Sequence, residues 1–318
     1  MIQTDPNRYA IIGSGALGGL YGAMLARAGF EVHFLLHSDY QHVVEHGLRV
    51  DSVKGDFHLP HVHAHSTPES MPACDVTIVG LKTTNNHLLP SLLLAPTRGG
   101  GSALVLQNGL NVEAESAEVI GADRVMGGCC FLCSNKVGPG HIRHLDYGRI
   151  VFGEFDPSRA QDSVRVKKIE GEMQSAGIDA RSTDDLPATR WRKLMWNITF
   201  NGLSVVLDAS TDQLMGDPDA CALAESIIAE VYGAAAGCGV SIPDEAKATT
   251  LEHTRTMVPY DSSMRLDFLA RRPIELEAIV GNPLREAQRH NAAMPRVEML
   301  YRQLKFLDAR NRTAVDPG

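Results

Sequence analysis

The stretch Ala10-Ile-Ile-Gly13-Ser-Gly15-Ala-Leu-Gly18-Gly19, "AIIGSGALGG", decides the fold. An apolar run, "RYAIIG", reads as a strand and leads straight into the helical pattern "ALGGLYGAMLARAG". The glycines between them spell GxGxxG, a weak signal alone but the one a dinucleotide site requires when a strand precedes it and a helix follows. Gly13 permits the tight turn, and Gly15 lets the backbone approach a pyrophosphate. Gly18 lets helix and strand pack closely. Ser14, Ala16 and Leu17 complete a loop whose helix N-terminus supplies free N–H groups and positive potential. The alternative is a glycine-rich turn that holds no ligand.

The strand–helix alternation continues outward from this loop. "EVHFLL" leads into "SDYQHVVEHG", and "DVTIVGL", "SALVLQ" and "RVMGGCCFLC" follow, separated by helical or loop segments. That alternation implies a parallel sheet covered on both faces. "GHIRHLDYGRIVFGEF" reads as two strands joined around Tyr147-Gly148, an antiparallel extension of the sheet. A helix, "SVRVKKIEGEMQSAG", and a last short strand, "IDARST", close the first half. After "DDLP" at 184–187 the pattern turns helical, with helices expected over 188–207, 218–238, 243–256, 262–270, 275–290 and 294–309. The expected fold class is therefore α/β followed by an all-helical C-terminal part, divided into 1–186 and 187–318.

Composition narrows the function. A chain of 318 residues with 44% hydrophobic and 21% charged residues is an ordinary globular protein with room for two domains. The net charge of -8 and the scattered basic residues argue against a nucleic-acid partner. No apolar run approaches membrane-spanning length and the N-terminus lacks a signal-peptide core, so no membrane partner is expected and the cytoplasm is the default location. The oligomeric state is open, a homodimer included. Six cysteines include Cys129, Cys130 and Cys133, a lone CxxC that reads as small buried thiols rather than a zinc or redox centre. "HLPHVHAH" at 58–65 puts His61, His63 and His65 on one face of a partly exposed strand. No metal site is expected.

The dinucleotide is addressed at the end of the second strand, where an NAD site wants an acid for the ribose hydroxyls. Asp39 lies near the required distance. Ser38 and Gln41, however, form a capping-box pattern that places Asp39 in a first helical turn, where the helix dipole explains it. His37, with Lys82, offers contacts for a 2′-phosphate. NADP is therefore favoured over NAD.

Chemistry points to "KLMWNITFN", where Lys193, Asn197 and Asn201 recur every four residues and form one polar stripe on a helix that is otherwise apolar. The stripe is either a satisfied internal network or one wall of a ligand cleft at the domain junction. A nicotinamide supplies hydride, so a carbonyl substrate also needs a proton donor. Lys193 suits that role, and the two carboxamides suit a substrate hydroxyl. "LQNGLN" puts Asn108 just after a strand, at the carboxyl edge where open α/β sheets bind ligands. "DSSMRLDFLARRPIELEAIVGNP" adds Ser263, a residue able to cap a helix or bind a carboxylate, and Glu275 at a helix start.

Taken in order, "GSGALGG", "VGLKT", "LQNGL", "GPGHIRH", "KLMWNITFNGL", "SSMRLD" and "RPIELEAIVG" resemble the ketopantoate reductases (2-dehydropantoate 2-reductases) nearly end to end. The resemblance implies a Rossmann-type NADP-binding domain, a helical substrate domain, and NADPH-dependent reduction of 2-dehydropantoate to pantoate on the route to pantothenate and coenzyme A. By motif, it implies that Lys193 donates the proton and that Glu275 supports it and contacts the cofactor side. Asn197 and Asn201 would bind the substrate hydroxyl, and Ser263 its carboxylate. Asn108 would lie between the nicotinamide ribose and the substrate, Lys82 on the adenosine side, and the backbone near Ser134 would contact cofactor. Two positions depart from the pattern: His37 stands where the family often has an arginine, and Thr211 stands near a substrate-binding asparagine. A reductase of another 2-oxo or hydroxy acid, and a cofactor-binding regulator without chemistry, are the rival readings.

Overall fold

Strand β1 (Tyr9–Ile12) is buried along its whole length and pairs in parallel with β2 (Val32–Leu35) on one side. A computed structural model describes residues 5–258 and 261–313. The sheet also contains β3 (Leu48–Ser52), β4 (Phe57–Leu59), β5 (His63–His65), β6 (Val76–Val79), β7 (Ser102–Val105), β8 (Val125–Gly138), β9 (His141–Glu154) and β10 (Asp179–Ser182). Their spatial order is β4-β3-β9-β8-β7-β6-β1-β2-β5, with β10 beside β9. β1, β2, β6 and β7 run parallel, and β1 and β6 read as unbroken apolar or β-branched runs because both of their faces are covered.

The first helix, Ala16–Arg27, lies close on this sheet because its glycines remove the obstruction. A Cβ on Gly22 would fall 2.6 Å from Phe34 Cε1 and 2.8 Å from Ile11 Cγ1. Leu20, Tyr21 and Leu25 join Ile11, Phe34, Ile78 and Leu104 in one core cluster.

The run expected as two strands around Tyr147-Gly148 is a single strand, β9, paired antiparallel with β8 from Met126↔Glu154 to Gly138↔His141. Tyr147 (φ 63°) and Gly148 (φ 110°) take left-handed backbone, and the register shifts beside them. This is a bulge: it bends the strand while pairing continues on either side. His144 holds it, with Nε2 3.1 Å from the Asp146 carbonyl and 3.2 Å from that of Tyr147. The bend lets β9 share one edge between β3, at residues 49–52, and β10, at residues 179–182.

The histidine strand is shorter than expected, since β5 begins at His63 and His61 lies outside it. His65 Nε2 sits 2.9 Å from His33 Nδ1, and among the described residues no group of His, Cys, Asp and Glu could hold a metal ion. Cys129, Cys130 and Cys133 are buried thiols outside any disulfide, and burial pushes the Cys133 thiol up to about 11.

The chain divides into two units. One comprises the residues up to Gln107 with Val112–Leu186; the other comprises Asn108–Asn111 with the residues from Pro187 onward. The second unit is helical, as expected. Its core gathers Trp191, Leu194, Met195 and Ile198 with Ile227, Ile228, Val231, Leu300 and Leu304. The helix expected over 188–207 is helical throughout, but its middle, Asn197–Asn201, is a π-helical turn between Leu186–Trp196 and Gly202–Val206. A second π turn, Glu277–Gly281, precedes Asn282–Arg289. Thr211–Gly216 was not expected as a helix, although its capping box, Ser210 with Gln213, is visible in "STDQ".

Helix Pro218–Gly237 matches the expected span but, against the expectation of no such run, is long and apolar enough to cross a membrane by length and composition alone, with a mean hydropathy of 1.2 over an 18-residue window. Asp217 caps its start by accepting the N–H groups of Asp219 and Ala220 at 3.0 and 2.9 Å. Ile227, Ile228 and Val231 enter the helical core, and Glu230 accepts the Val297 N–H at 2.9 Å.

The tight approach of the first helix is testable. Gly22→Val should lower unfolding stability by about 1–3 kcal/mol, the usual cost of overpacking a filled core, read as a fall in thermal midpoint. An unchanged midpoint would show that the helix moves away at no cost.

Candidate active site

In the sheet unit the glycine loop is held by steric necessity. Gly13 (φ +87°) could carry no side chain, since a Cβ would lie 2.3 Å from the Leu81 nitrogen. A Cβ on Gly18 would lie 2.4 Å from the Gly13 carbonyl oxygen. Gly15 differs: nothing lies within 4 Å of its Cβ position, so the backbone there is open to approach. Ser14 Oγ donates to the Leu35 carbonyl at 3.1 Å, tying the loop to the end of β2. Ser134 Oγ donates to the Ala16 carbonyl at 3.3 Å, tying β8 to the start of the first helix. Ala16 and Leu17 form that start, His37 is exposed just beyond β2, and Lys82 is exposed just beyond β6. An open backbone at Gly15 beside the N-terminus of a twelve-residue helix fits a dinucleotide pyrophosphate.

The capping box expected from Ser38 and Gln41 does not form. Gln41 bonds Glu45, and Asp39 occupies the cap position of helix Tyr40–His46 without capping it. Asp39 instead accepts from Lys136 Nζ at 2.6 Å and from the Gly140 N–H at 2.9 Å. A charge-assisted bond to an ammonium is the stronger option for a buried carboxylate, and it outcompetes the cap. Burial alone would raise the Asp39 carboxyl; the Lys136 and Gly140 hydrogen bonds outweigh it and hold it below the usual carboxylate range.

In the helical unit, segment Asn108–Asn111 is anchored by three contacts. The Leu110 N–H donates to the Ala278 carbonyl at 3.0 Å, and Asn282 Nδ2 donates to the Leu110 carbonyl at 2.7 Å. Lys193 Nζ donates to Asn108 Oδ1 at 2.6 Å. Gly109 (φ +119°) is required here, because a Cβ would lie 2.5 Å from the Ala278 carbonyl oxygen. The structure thus brings Asn108 to Lys193 and seats the adjoining residues on the π turn that follows Glu275. Lys193 is half-buried, while Asn197, Asn201 and Glu275 are buried.

Asn201 is 1% exposed, yet among the described residues its Oδ1 has no hydrogen-bond partner. Of the two readings of Ser263, helix cap or carboxylate ligand, the cap falls to its neighbour Ser262, whose Oγ accepts the Arg265 N–H at 3.2 Å, and Ser263 is the first helical residue, half-buried. Thr211 is buried at the start of Thr211–Gly216. The supports Ser204, Ala278 and Asn282 were missed. Asn282 stood inside the quoted "VGNP", but its partner is 172 residues away in the chain.

Comparison with known proteins now bears on this geometry. The family model described as "Ketopantoate reductase PanE/ApbA" matches residues 9–157, and its C-terminal counterpart matches residues 185–308. The chain belongs to the ketopantoate reductase family. Within it, the chain is 51% identical over 311 residues to the 2-dehydropantoate 2-reductase of a Nostoc species, covering 97% of this chain and 98% of that one. The crystal structure of 2-dehydropantoate 2-reductase from Geobacter metallireducens superimposes with a TM-score of 0.91 at 42% identity, covering 94% and 99%. D-mandelate dehydrogenase, solved with NADH and anilino(oxo)acetate, shares the fold with a TM-score of 0.88 at 21% identity, covering 96% and 99%. The two-part fold read from the sequence is the fold of this family, and the chain is an oxidoreductase.

The Asp39–Lys136 pair gives a pH signature. A carboxylate held below its ordinary value contributes stability that is present above about pH 4, the unfolded value, and lost as pH falls through the folded one. Lys136→Met should destabilise the protein more at pH 7 than at pH 3, so denaturant unfolding becomes less pH-dependent across that window. An equal loss at both pH values would remove the ion pair as the cause.

Proposed function

We propose that this chain reduces 2-dehydropantoate to pantoate with NADPH, and that the contact carrying this reading is Lys193 Nζ on Asn108 Oδ1 at 2.6 Å. When bound, the reduced nicotinamide supplies a hydride to the carbonyl carbon. The protein must then polarise the carbonyl oxygen and protonate the alkoxide that develops there. A half-buried ammonium oriented by a carboxamide suits both tasks. It bears charge where the oxygen becomes negative, and an ammonium carries three N–H donors, one of them on Asn108. Glu275, a buried carboxylate, is assigned the support of that positive charge.

The substrate carries a carboxylate, a carbonyl and a hydroxyl. Asn201 supports the hydroxyl assignment. A buried acceptor without a partner costs about 1–3 kcal/mol, and such atoms in native proteins call for a reason. A substrate O–H would satisfy Oδ1. Asn197, one turn earlier, shares this role, and the Ser263 hydroxyl is assigned to the substrate carboxylate. On the cofactor side, Gly13, Ser14, Gly15, Ala16, Leu17 and Gly18 would receive the pyrophosphate, and Ser134 braces their carbonyl side. The acid that would recognise the ribose hydroxyls of NAD is engaged, since both Asp39 oxygens already accept hydrogen bonds. His37, exposed just beyond β2, is assigned with Lys82 to a 2′-phosphate, which supports NADPH over NADH.

A second reading, reduction of another branched 2-oxo acid, rests on Thr211, which offers a hydroxyl where the resemblance expects an amide. The two separate in one assay: ketopantoate against the analogue lacking its hydroxyl. A site built to bond that hydroxyl should reject the analogue by roughly 10⁴-fold in kcat/KM; similar turnover of both would favour the second reading.

Lys193→Ala should lower kcat by about 10²–10⁴, the span of one general acid, and leave NADPH affinity by fluorescence titration unchanged. Unchanged kcat would remove lysine from the chemistry. His37→Arg should raise the ratio of NADPH to NADH in kcat/KM. An equal effect on both cofactors would place the 2′-phosphate elsewhere.

A further inference from the structure

Within the helical unit, a buried chain of hydroxyls joins two of the residues assigned to substrate. Ser204 Oγ lies 3.0 Å from the Asn201 carbonyl oxygen and 2.7 Å from Ser262 Oγ, and Ser262 Oγ lies 3.2 Å from the Arg265 nitrogen. Both serines are 0% exposed. The direction of every bond follows from valence. A carbonyl has no proton, so Ser204 gives its single hydrogen to Asn201. Ser204 can then only accept from Ser262, and Ser262, having given its hydrogen, accepts the Arg265 N–H. The sequence Arg265 N–H, Ser262 O–H, Ser204 O–H, Asn201 C=O is one polarised line in which each hydroxyl both accepts and donates.

The line starts in the first turn of helix Ser263–Leu269 and ends on the last residue of π turn Asn197–Asn201. Its two ends bear the Ser263 hydroxyl and the Asn201 carboxamide. Arg265, whose backbone begins the line, is itself clamped by Asp261 and by Asp208 at 3.0 Å. We propose that Ser204 and Ser262 are positioning residues that set the distance between Asn201 and Ser263, and thereby the spacing at which the enzyme reads the hydroxyl and the carboxylate of its substrate. This rests on the substrate assignment made above. Neither serine touches substrate; each acts through the residue it holds. The pair "SS" at 262–263 thus divides its labour, one hydroxyl turned into the fold and the next left for the ligand.

The experiment measures kcat, KM for ketopantoate, NADPH affinity and thermal midpoint for Ser204→Ala, Ser262→Ala, the double variant, Ser262→Thr and Ser263→Ala. Each alanine in the line should raise KM roughly five- to tenfold, the factor expected for one buried hydrogen bond, with NADPH affinity unchanged. The double variant should match the singles, because either change breaks the same line. Ser262→Thr, which keeps the hydroxyl, should restore KM, and it decides the matter if an alanine variant fails to fold. Lower thermal midpoints with KM unmoved, or multiplicative effects in the double variant, would overturn the proposal. If Ser263→Ala raises KM while the line variants do not, positioning alone fails. If Ser263→Ala also leaves KM unmoved, the substrate assignment fails and takes the positioning role with it.

Discussion

A lysine ammonium drawn half-way out of water must be met by acceptors, and this constraint organises the helical unit. Lys193 meets Asn108 at 2.6 Å, on a four-residue segment that the chain delivers from far upstream. The segment is backed by main-chain bonding to Ala278 and by Asn282, so its position does not depend on the lysine alone. Were the segment displaced, the ammonium would lose its Asn108 acceptor. Gly109 makes the arrangement feasible, since any larger residue would collide with the Ala278 carbonyl.

The two π turns belong to the same design. Asn197–Asn201 and Glu277–Gly281 begin four and two residues after a residue assigned to the chemistry, Lys193 and Glu275, and they pack against each other. An i→i+5 turn inserts one residue into a helix and shifts the faces of everything beyond it. It also demands close packing around a wider turn, which Gly202 and Gly281 allow: a Cβ on Gly202 would fall 2.6 Å from Leu300 Cδ2. The cost of the irregularity is sustained by an apolar cluster running from Trp191 to Leu304.

Much of this was legible from residue order alone. GxGxxG after a strand has few other uses, and a polar stripe at four-residue spacing in an apolar helix stands out against its background. What escaped the reading shares a cause: the deciding partner lay far along the chain. Asp39 looked like a helix-dipole acid because Lys136, its actual partner, is 97 residues away. Tyr147-Gly148 looked like a turn because β3 and β10, which share β9 across that point, cannot be inferred from local composition. The two roles open to Ser263, cap or carboxylate ligand, could not be separated locally, because the capping Ser262 is the serine that bonds Ser204 on another helix. Thr211–Gly216 was different, since its capping box was present locally and was overlooked.

The assignment of Asn108–Asn111 to the helical unit has a consequence for how this chain can be divided. The polypeptide passes from one unit to the other three times, after Gln107, after Asn111 and after Leu186. A single scission near residue 186 therefore does not release two complete halves. The C-terminal fragment would lack the peptide that covers Ala278 and receives Asn282, and the N-terminal fragment would carry that peptide with its partners gone. The C-terminal half would be born with a gap that only a peptide of the N-terminal half fills, so split-gene expression should yield a C-terminal piece unable to stand alone.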